Sequence, residues 1–137
     1  MATNLALAEV QHAVACPKSV ALVSMTIVSG TSQGRRAIVT LDIDGRHKTE
    51  QLTVENGGPV HAAIEVIKIL VPHQLEFLAC CTKSMGKGSD AVARATIQVR
   101  PRGRDLIRGV DSDTDTVVAS VKAYIVALNR HLASAQT

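Results

Sequence analysis

Three aspartates at alternate positions, Asp111, Asp113 and Asp115, have the spacing that most suggests metal chemistry in this sequence. A calcium-binding loop starts with acidic side chains at this spacing, but it also needs a glycine after the third acid and a glutamate at its twelfth position. Thr116 and Lys122 occupy those two places. The aspartates are therefore interpreted as helix-capping residues, and neither a metal site nor a cofactor is predicted.

A second motif, at residues 86–89, has the glycine and lysine content of a phosphate-binding loop. The earlier glycine of that loop is missing, and the segment lies between two predicted strands instead of before a helix. The five histidines lack the spacing of metal ligands, and no serine or cysteine has an evident base partner. We therefore predict that this chain has no catalytic site.

The composition indicates a soluble, cytoplasmic protein of one domain. Its 137 residues and 46% hydrophobic content suit a single packed core. No segment approaches the roughly 18 apolar residues of a membrane span, and three cysteines, two of them adjacent, do not make a disulfide framework. The net charge of +3 does not indicate nucleic-acid binding. The arginines from Arg94 to Arg108 suggest a solvated face or a dimer rim, with an anionic partner as the alternative.

The elements that would position these side chains follow a regular order. After an N-terminal helix and linker over residues 1–19, strands are predicted at 20–29 and 37–43, and the Asp44-Gly45 turn leads into a third strand through Val54. A helix follows from Pro59 to about Val71. It has apolar residues at helical spacing and a proline at each end.

The second half repeats this order. A strand at 75–82, a glycine-containing loop at 84–90 and an alternating strand at 91–100 lead through a turn into a strand ending at Val110. A long helix capped by Asp113 or Thr114 closes the chain. The predicted fold is therefore α+β: a duplicated β-β-β-α unit with pseudo-twofold symmetry, in which helices cover antiparallel sheets.

Several short segments of the two halves carry a family resemblance. They are Val28–Thr31, Gly58–Val60, Gly88–Ala93, Asp113–Asp115 and Ala119–Arg130. In this order and spacing, over about residues 20–132, the chain resembles the allosteric domain of 2-isopropylmalate synthases and citramalate synthases. The resemblance implies that residues 20–137 form a LeuA-type allosteric and dimerisation domain.

The same resemblance implies the partners of the domain. Two copies would pair as a homodimer, and a branched-chain amino acid or a similar small acid would bind near the dimer interface and inhibit a catalytic barrel in cis or in trans. A barrel of that type takes roughly 200 residues or more. Its acyltransferase chemistry is therefore not expected within these 137 residues.

Matching motifs carry the family's ligand pocket onto eleven positions. They fall at the start of the first helix, on the first strand of the second half, in the loop after it and before the last helix: Gly57, His61, Phe77, Leu78, Cys80, Ser84, Asp90, Ala91, Ala93, Asp111 and Asp113. Free N–H groups at helix N-termini suit a carboxylate, and the alanines would leave room for an aliphatic side chain. Tight packing of helix on sheet is the alternative reason for the alanines.

His61 stands where the family usually has an acidic residue, and Cys80 lies near a position that is often aromatic, so the ligand need not be leucine. Two alternatives to amino-acid sensing also stay open. A free-standing relative recruited as a small enzyme, or as a trans-acting partner, would act on a small hydrophobic acid. Its candidate acid–base groups are His61, Asp90, Asp111 and Cys80. A purely structural dimeriser would instead have a filled apolar interface and no pocket.

Overall fold

The computed structural model describes residues 17–30, 34–86, 88 and 91–135. The first unit consists of strands β1 (Val20–Ser29), β2 (Arg35–Ile43) and β3 (Arg46–Val54) and helix α1 (Pro59–Leu70). The second consists of β4 (Leu75–Met85), β5 (Val92–Pro101) and β6 (Ile107–Asp113) and helix α2 (Thr116–Ala135). The antiparallel sheets have the orders β1-β2-β3 and β4-β5-β6, which confirms the predicted fold class. The helix predicted at the N-terminus falls on residues outside the described ranges.

The two units match in detail. Each first strand has one irregularity of register, between Leu22 and Ser24 in β1 and between Phe77 and Ala79 in β4. The helices bury side chains at identical spacing, Ala62, Ala63, Ile64, Val66 and Ile67 in α1 and Ala119, Ser120, Val121, Ala123 and Tyr124 in α2. The repeated signals in the sequence therefore correspond to a β-β-β-α unit that occurs twice in the structure.

The hairpin of the first unit has the predicted turn. Asp44 and Gly45 both have positive φ, 54° and 89°, as a two-residue type I′ turn requires. The Asp44 carboxylate accepts the backbone N–H groups of Lys18 at 3.0 Å and Ser19 at 2.8 Å. The turn consequently holds the start of β1 as well as joining β2 to β3.

The core lies between the helices and the inner faces of the sheets, where inner means the face that α1 and α2 cover. Helix α1 packs on β2 and β3, and α2 packs on β5 and β6 and also contacts β1. The side chain of Asn129 joins the two units: its Oδ1 accepts the N–H of Val20 at 2.9 Å, and its Nδ2 donates to the Val20 carbonyl at 2.7 Å. Strand β1 is thereby fixed to α2.

The first strands of the two units differ in how they are covered. Leu22, Met25 and Ile27, on the inner face of β1, pack against the core. In β4, every residue after Leu75 is exposed. The inner face of β4 is therefore open where the equivalent face of β1 is filled.

Helix α2 begins later than the sequence predicted. Because β6 continues through Asp113, the cap is Asp115 in place of Asp113 or Thr114. Its Oδ1 accepts the N–H groups of Val117 at 2.8 Å and Val118 at 3.2 Å. Asp113 Oδ1 in turn accepts the N–H of Asp115 at 3.0 Å. Within the described part of the chain, neither α1 nor α2 has the length and hydropathy that a membrane-spanning helix needs.

Just after the C-terminal end of α1, His73 forms a hydrogen bond with the fully buried Tyr124. His73 Nδ1 lies 2.6 Å from the Val71 carbonyl, and Nε2 lies 2.6 Å from the Tyr124 hydroxyl. A carbonyl oxygen only accepts, so Nδ1 carries the hydrogen and the neutral ring accepts the tyrosine O–H at Nε2. Burial, against a smaller raising effect of the Val71 carbonyl, lowers the pKa of His73, and burial raises the pKa of Tyr124.

We expect this arrangement to make the domain less stable in mild acid. The folded-state pKa of His73 lies below its ordinary value of 6.5. Below about pH 6.5 the unfolded chain therefore binds more protons at this residue than the folded chain does. The free energy of unfolding is therefore fully retained above that pH and declines as the pH falls toward the folded-state pKa. Urea unfolding at pH 7.5 and pH 5.5, at one protein concentration, measures the decline.

The variant H73Q should reduce this pH dependence, and H47Q, at an exposed position of β3, should keep it. Some dependence should remain in H73Q because burial, followed by the charge of Arg104, also lowers the pKa of His131. An unchanged dependence in H73Q would rule out His73 as its source.

Candidate functional site

A groove opens between α1 and the uncovered inner face of β4. It has a volume of about 430 Å³ and a mainly apolar lining. The lining residues are Gly58, Pro59, Val60, His61, Ile64, Glu65, Lys68, Phe77 and Cys80. We call it the α1–β4 groove.

One face of α1 supplies the floor and the charged rim of the α1–β4 groove. His61, Ile64, Glu65 and Lys68 share this face because residues three, four and seven apart are neighbours on a helix. Ile64 is buried, Glu65 and Lys68 are half-buried, and His61 is exposed. Glu65 Oε1 lies 3.5 Å from Lys68 Nζ and 4.0 Å from His61 Nδ1. The rim therefore has one carboxylate between an imidazole ring and an ammonium group.

The start of α1 is held by contacts around Gly57. This residue has a φ of 98°, and a side chain there would meet the ring of His61. The Arg35 guanidinium donates from Nη1 to the Gly57 carbonyl at 2.9 Å. The His61 ring consequently lies against backbone that β2 keeps in place.

The irregular register of β4 explains why two of its side chains line the same groove. In a regular strand, residues three apart point to opposite faces. The extra residue Leu78 lies between Phe77, paired with Val99, and Cys80, paired with Ile97, so both point to the inner face. Cys80 Sγ lies 3.5 Å from the buried Ser120 hydroxyl. The bulge thus brings an aromatic ring and a thiol together opposite α1.

Four other sequence-predicted residues lie at the far end of the same inner face. Ser84, Ala93 and Asp113 form one row across β4, β5 and β6, and Asp111 is in the next row. Ala93 is buried. Lys122 Nζ lies 3.5 Å from Asp113 Oδ2 and 3.9 Å from Asp111 Oδ1. The Asp115 N–H, and then the charge of Lys122, lower the pKa of Asp113.

Two of the remaining predicted residues, Leu78 and Ala91, belong to neither group. Leu78 is exposed at the bulge, and the N–H of Ala91 donates to the Gly88 carbonyl at 3.3 Å in the loop before β5. Asp90 is outside the described residues. The structure therefore brings His61, Phe77 and Cys80 together beside Gly57, and separately groups Ser84, Ala93, Asp111 and Asp113.

The acid–base groups considered for an enzyme are not assembled in one place. His61 and Cys80 line the α1–β4 groove, whereas Asp111 lines a second cleft of about 250 Å³ between β1 and α2. In that cleft Lys122, which lies close to Asp111, also donates to the Ser112 carbonyl at 2.9 Å. His61 and Asp111 therefore do not share a cavity.

Sequence reasoning missed Glu65 and Lys68 as groove residues. Both have a signal in the sequence, since they follow His61 by four and seven positions and so share its helix face. Val60 and Ile64 were predicted only as members of the core stripe, yet they also line the groove. Extending His61 along its helix face would have found Ile64, Glu65 and Lys68.

The chain is similar in sequence to one family of domains and to several enzymes. The profile of the LeuA allosteric (dimerisation) domain family matches residues 3–132. The chain is 40% identical over 114 residues to a 2-isopropylmalate synthase of Methylobacterium nodulans, an alignment that covers 83% of this chain and 21% of that protein. It is 40% identical over 109 residues to the Rhodopseudomonas palustris enzyme of the same name, covering 80% and 20% respectively. The chain spans about a fifth of the length of the curated relatives it matches.

Proposed function

The chain belongs to the family of LeuA allosteric (dimerisation) domains, and on that basis we propose that it forms a homodimer and senses a small amino acid. The ligand is a branched-chain amino acid or a similar small acid, and it binds in the α1–β4 groove. Because the relatives named above are 2-isopropylmalate synthases, we extend the proposal to inhibition of a catalytic domain of that type, in cis or in trans.

The observation that carries the ligand proposal is the chemistry of the α1–β4 groove. Val60, Ile64 and Phe77 give it an apolar lining that suits a branched aliphatic side chain. Small-ligand sites are usually apolar with a few polar groups that fix orientation. Here Glu65 suits the ammonium group of an amino acid, and Lys68 suits its carboxylate. A zwitterion with an aliphatic tail complements both parts.

The uncovered strand β4 supports the homodimer. It is an edge strand of 11 residues, and it exposes Phe77, Leu78 and Met85 at 43%, 36% and 44%. A long edge strand with exposed apolar side chains favours association with another surface. A second copy of the domain, placed against β4, would cover these residues and close the open side of the groove.

Calorimetric titration with leucine, isoleucine and valine tests the ligand proposal. We expect saturable binding of at least one of them, and we expect E65Q to weaken it by about tenfold or more, because a hydrogen bond to a charged group contributes roughly 1.5–3 kcal/mol. The matched control E50Q removes one carboxylate from the exposed surface of β3 and should bind as the wild type does.

Two outcomes would count against the proposed site. Equal affinities of E65Q and E50Q would exclude Glu65 as the ammonium partner. Absence of heat with all three amino acids, in a protein that remains dimeric by sedimentation, would favour a purely structural dimeriser.

A further inference from the structure

A third concave surface lies at the β6 edge of the second sheet, between the β5–β6 turn and the C-terminal part of α2. It has a volume of about 630 Å³ and is lined by three arginines, Arg104, Arg108 and Arg130. We call it the arginine cleft. It shares no lining residue with the α1–β4 groove.

Two hydrogen bonds to backbone carbonyls hold the arginine cleft in shape. Arg130 Nη1 donates to the Arg108 carbonyl at 2.8 Å, which ties α2 to β6. The N–H of Arg104 donates to the Pro101 carbonyl at 3.1 Å and closes the turn. The three arginines therefore stand on a helix, a strand and a hydrogen-bonded turn, and their positions around the cleft are set by the fold.

The charges of the arginine cleft are not balanced. Within the described ranges, none of its three guanidinium groups forms an ion pair with a carboxylate, whereas neighbouring Arg100 pairs with Glu76 at 3.1 Å. Asp105 is the single acidic residue of the lining. Like charges around a concavity concentrate positive potential there and attract anions.

The equivalent turn of the first unit shows that the fold does not require this charge. That turn has Asp42 and Asp44, whose carboxylates accept nearby backbone N–H groups, including that of Gly45 at 2.7 Å. The β5–β6 turn has arginines instead. Hairpin geometry therefore does not account for the arginines of the β5–β6 turn.

We propose that the arginine cleft binds a small multivalent oxyanion, a phosphate ester or a polycarboxylate. The planar guanidinium group presents paired N–H donors that match two oxygens of a phosphate or carboxylate. Exposed Leu106 and half-buried Ile107 add an apolar wall, which suits an organic anion. The arginines surround a concavity and do not follow an extended face, so a compact ligand fits better than a nucleic-acid strand.

The proposal can be tested by titrating the full chain with pyrophosphate and with citrate, at low ionic strength and without other multivalent anions. Comparing the two anions shows whether the cleft prefers phosphate or carboxylate groups. We expect saturable binding of at least one anion. R104Q and R108Q should each weaken it by about tenfold or more. The control R46Q removes the same charge from an exposed position of β3 that does not line the cleft, and it should leave the affinity within about twofold.

Three results would overturn the proposal. They are no saturable heat with either anion, an equal loss of affinity in R46Q, and binding of polyglutamate without binding of pyrophosphate or citrate. The last would indicate an acidic protein surface as the partner. Thermal unfolding of each variant verifies that a lost signal does not reflect a lost fold. Leucine titration of R104Q keeps this test separate from the proposed amino-acid site.

Discussion

Replacing Gly109 by valine is expected to remove roughly 3 kcal/mol or more of unfolding free energy and to leave little folded protein at 37 °C. Gly109 is in β6, an edge strand of the second sheet, and is paired with Ile97 of β5. Any β-carbon added to it would collide with the Ala123 carbonyl oxygen and with Ala127. Helix α2 therefore lies directly on the backbone of β6, and a side chain at this position must push the helix away.

Urea unfolding followed by circular dichroism measures this loss. G109A should fall between the wild type and G109V, since a single methyl group displaces the helix less. The control V110A alters the next residue of the same strand, which is 41% exposed, and should cost less than about 1 kcal/mol. Wild-type stability of G109V would contradict the close contact between α2 and β6.

Replacing Leu78 by aspartate is expected to weaken the proposed homodimer by about a hundredfold or more, a free-energy change of roughly 2.7 kcal/mol. Leu78 lies at the bulge of β4 and is 36% exposed in the single chain, so the monomer should tolerate a charge there. In a dimer that covers β4, the same carboxylate would lose its water without gaining a partner.

The duplication supplies a matched control for this variant. Val23 has the corresponding position at the bulge of β1 and is 46% exposed. V23D makes the same chemical change on a strand whose inner face is already filled, and it should leave the dissociation constant unchanged. Sedimentation equilibrium over a range of concentrations measures both. A dimer that survives in L78D, or that dissociates equally in V23D, would place the interface away from β4.

The sequence was sufficient to predict the repeated unit because its signals are local. Alternation in β2 and β5, the Asp44-Gly45 turn and Pro59 at the start of α1 each depend on a few neighbouring residues. The start of α2 was misplaced because β6 runs three residues beyond Val110, to Asp113, and nothing in the chain marks where pairing with β5 stops.

The candidate site was harder to predict because it depends on contacts between distant segments. Family motifs identified His61, Phe77 and Cys80, but that Phe77 and Cys80 share a face is a consequence of the bulge at Leu78. A bulge has no dependable sequence signal when it contains no glycine. Likewise the hydrogen bond between His73 and Tyr124 joins residues 51 positions apart, so no local sequence pattern predicts it.

The unequal coverage of β1 and β4 also bears on how such domains diversify. A substitution on the inner face of β1 changes the packed core, so selection for a stable fold restricts what those positions accept. The equivalent positions of β4 face an open groove, where a new side chain would alter the proposed ligand site without disturbing the core. If the proposed site is correct, the first strand of one unit is constrained by the fold, whereas the first strand of the other can change ligand preference.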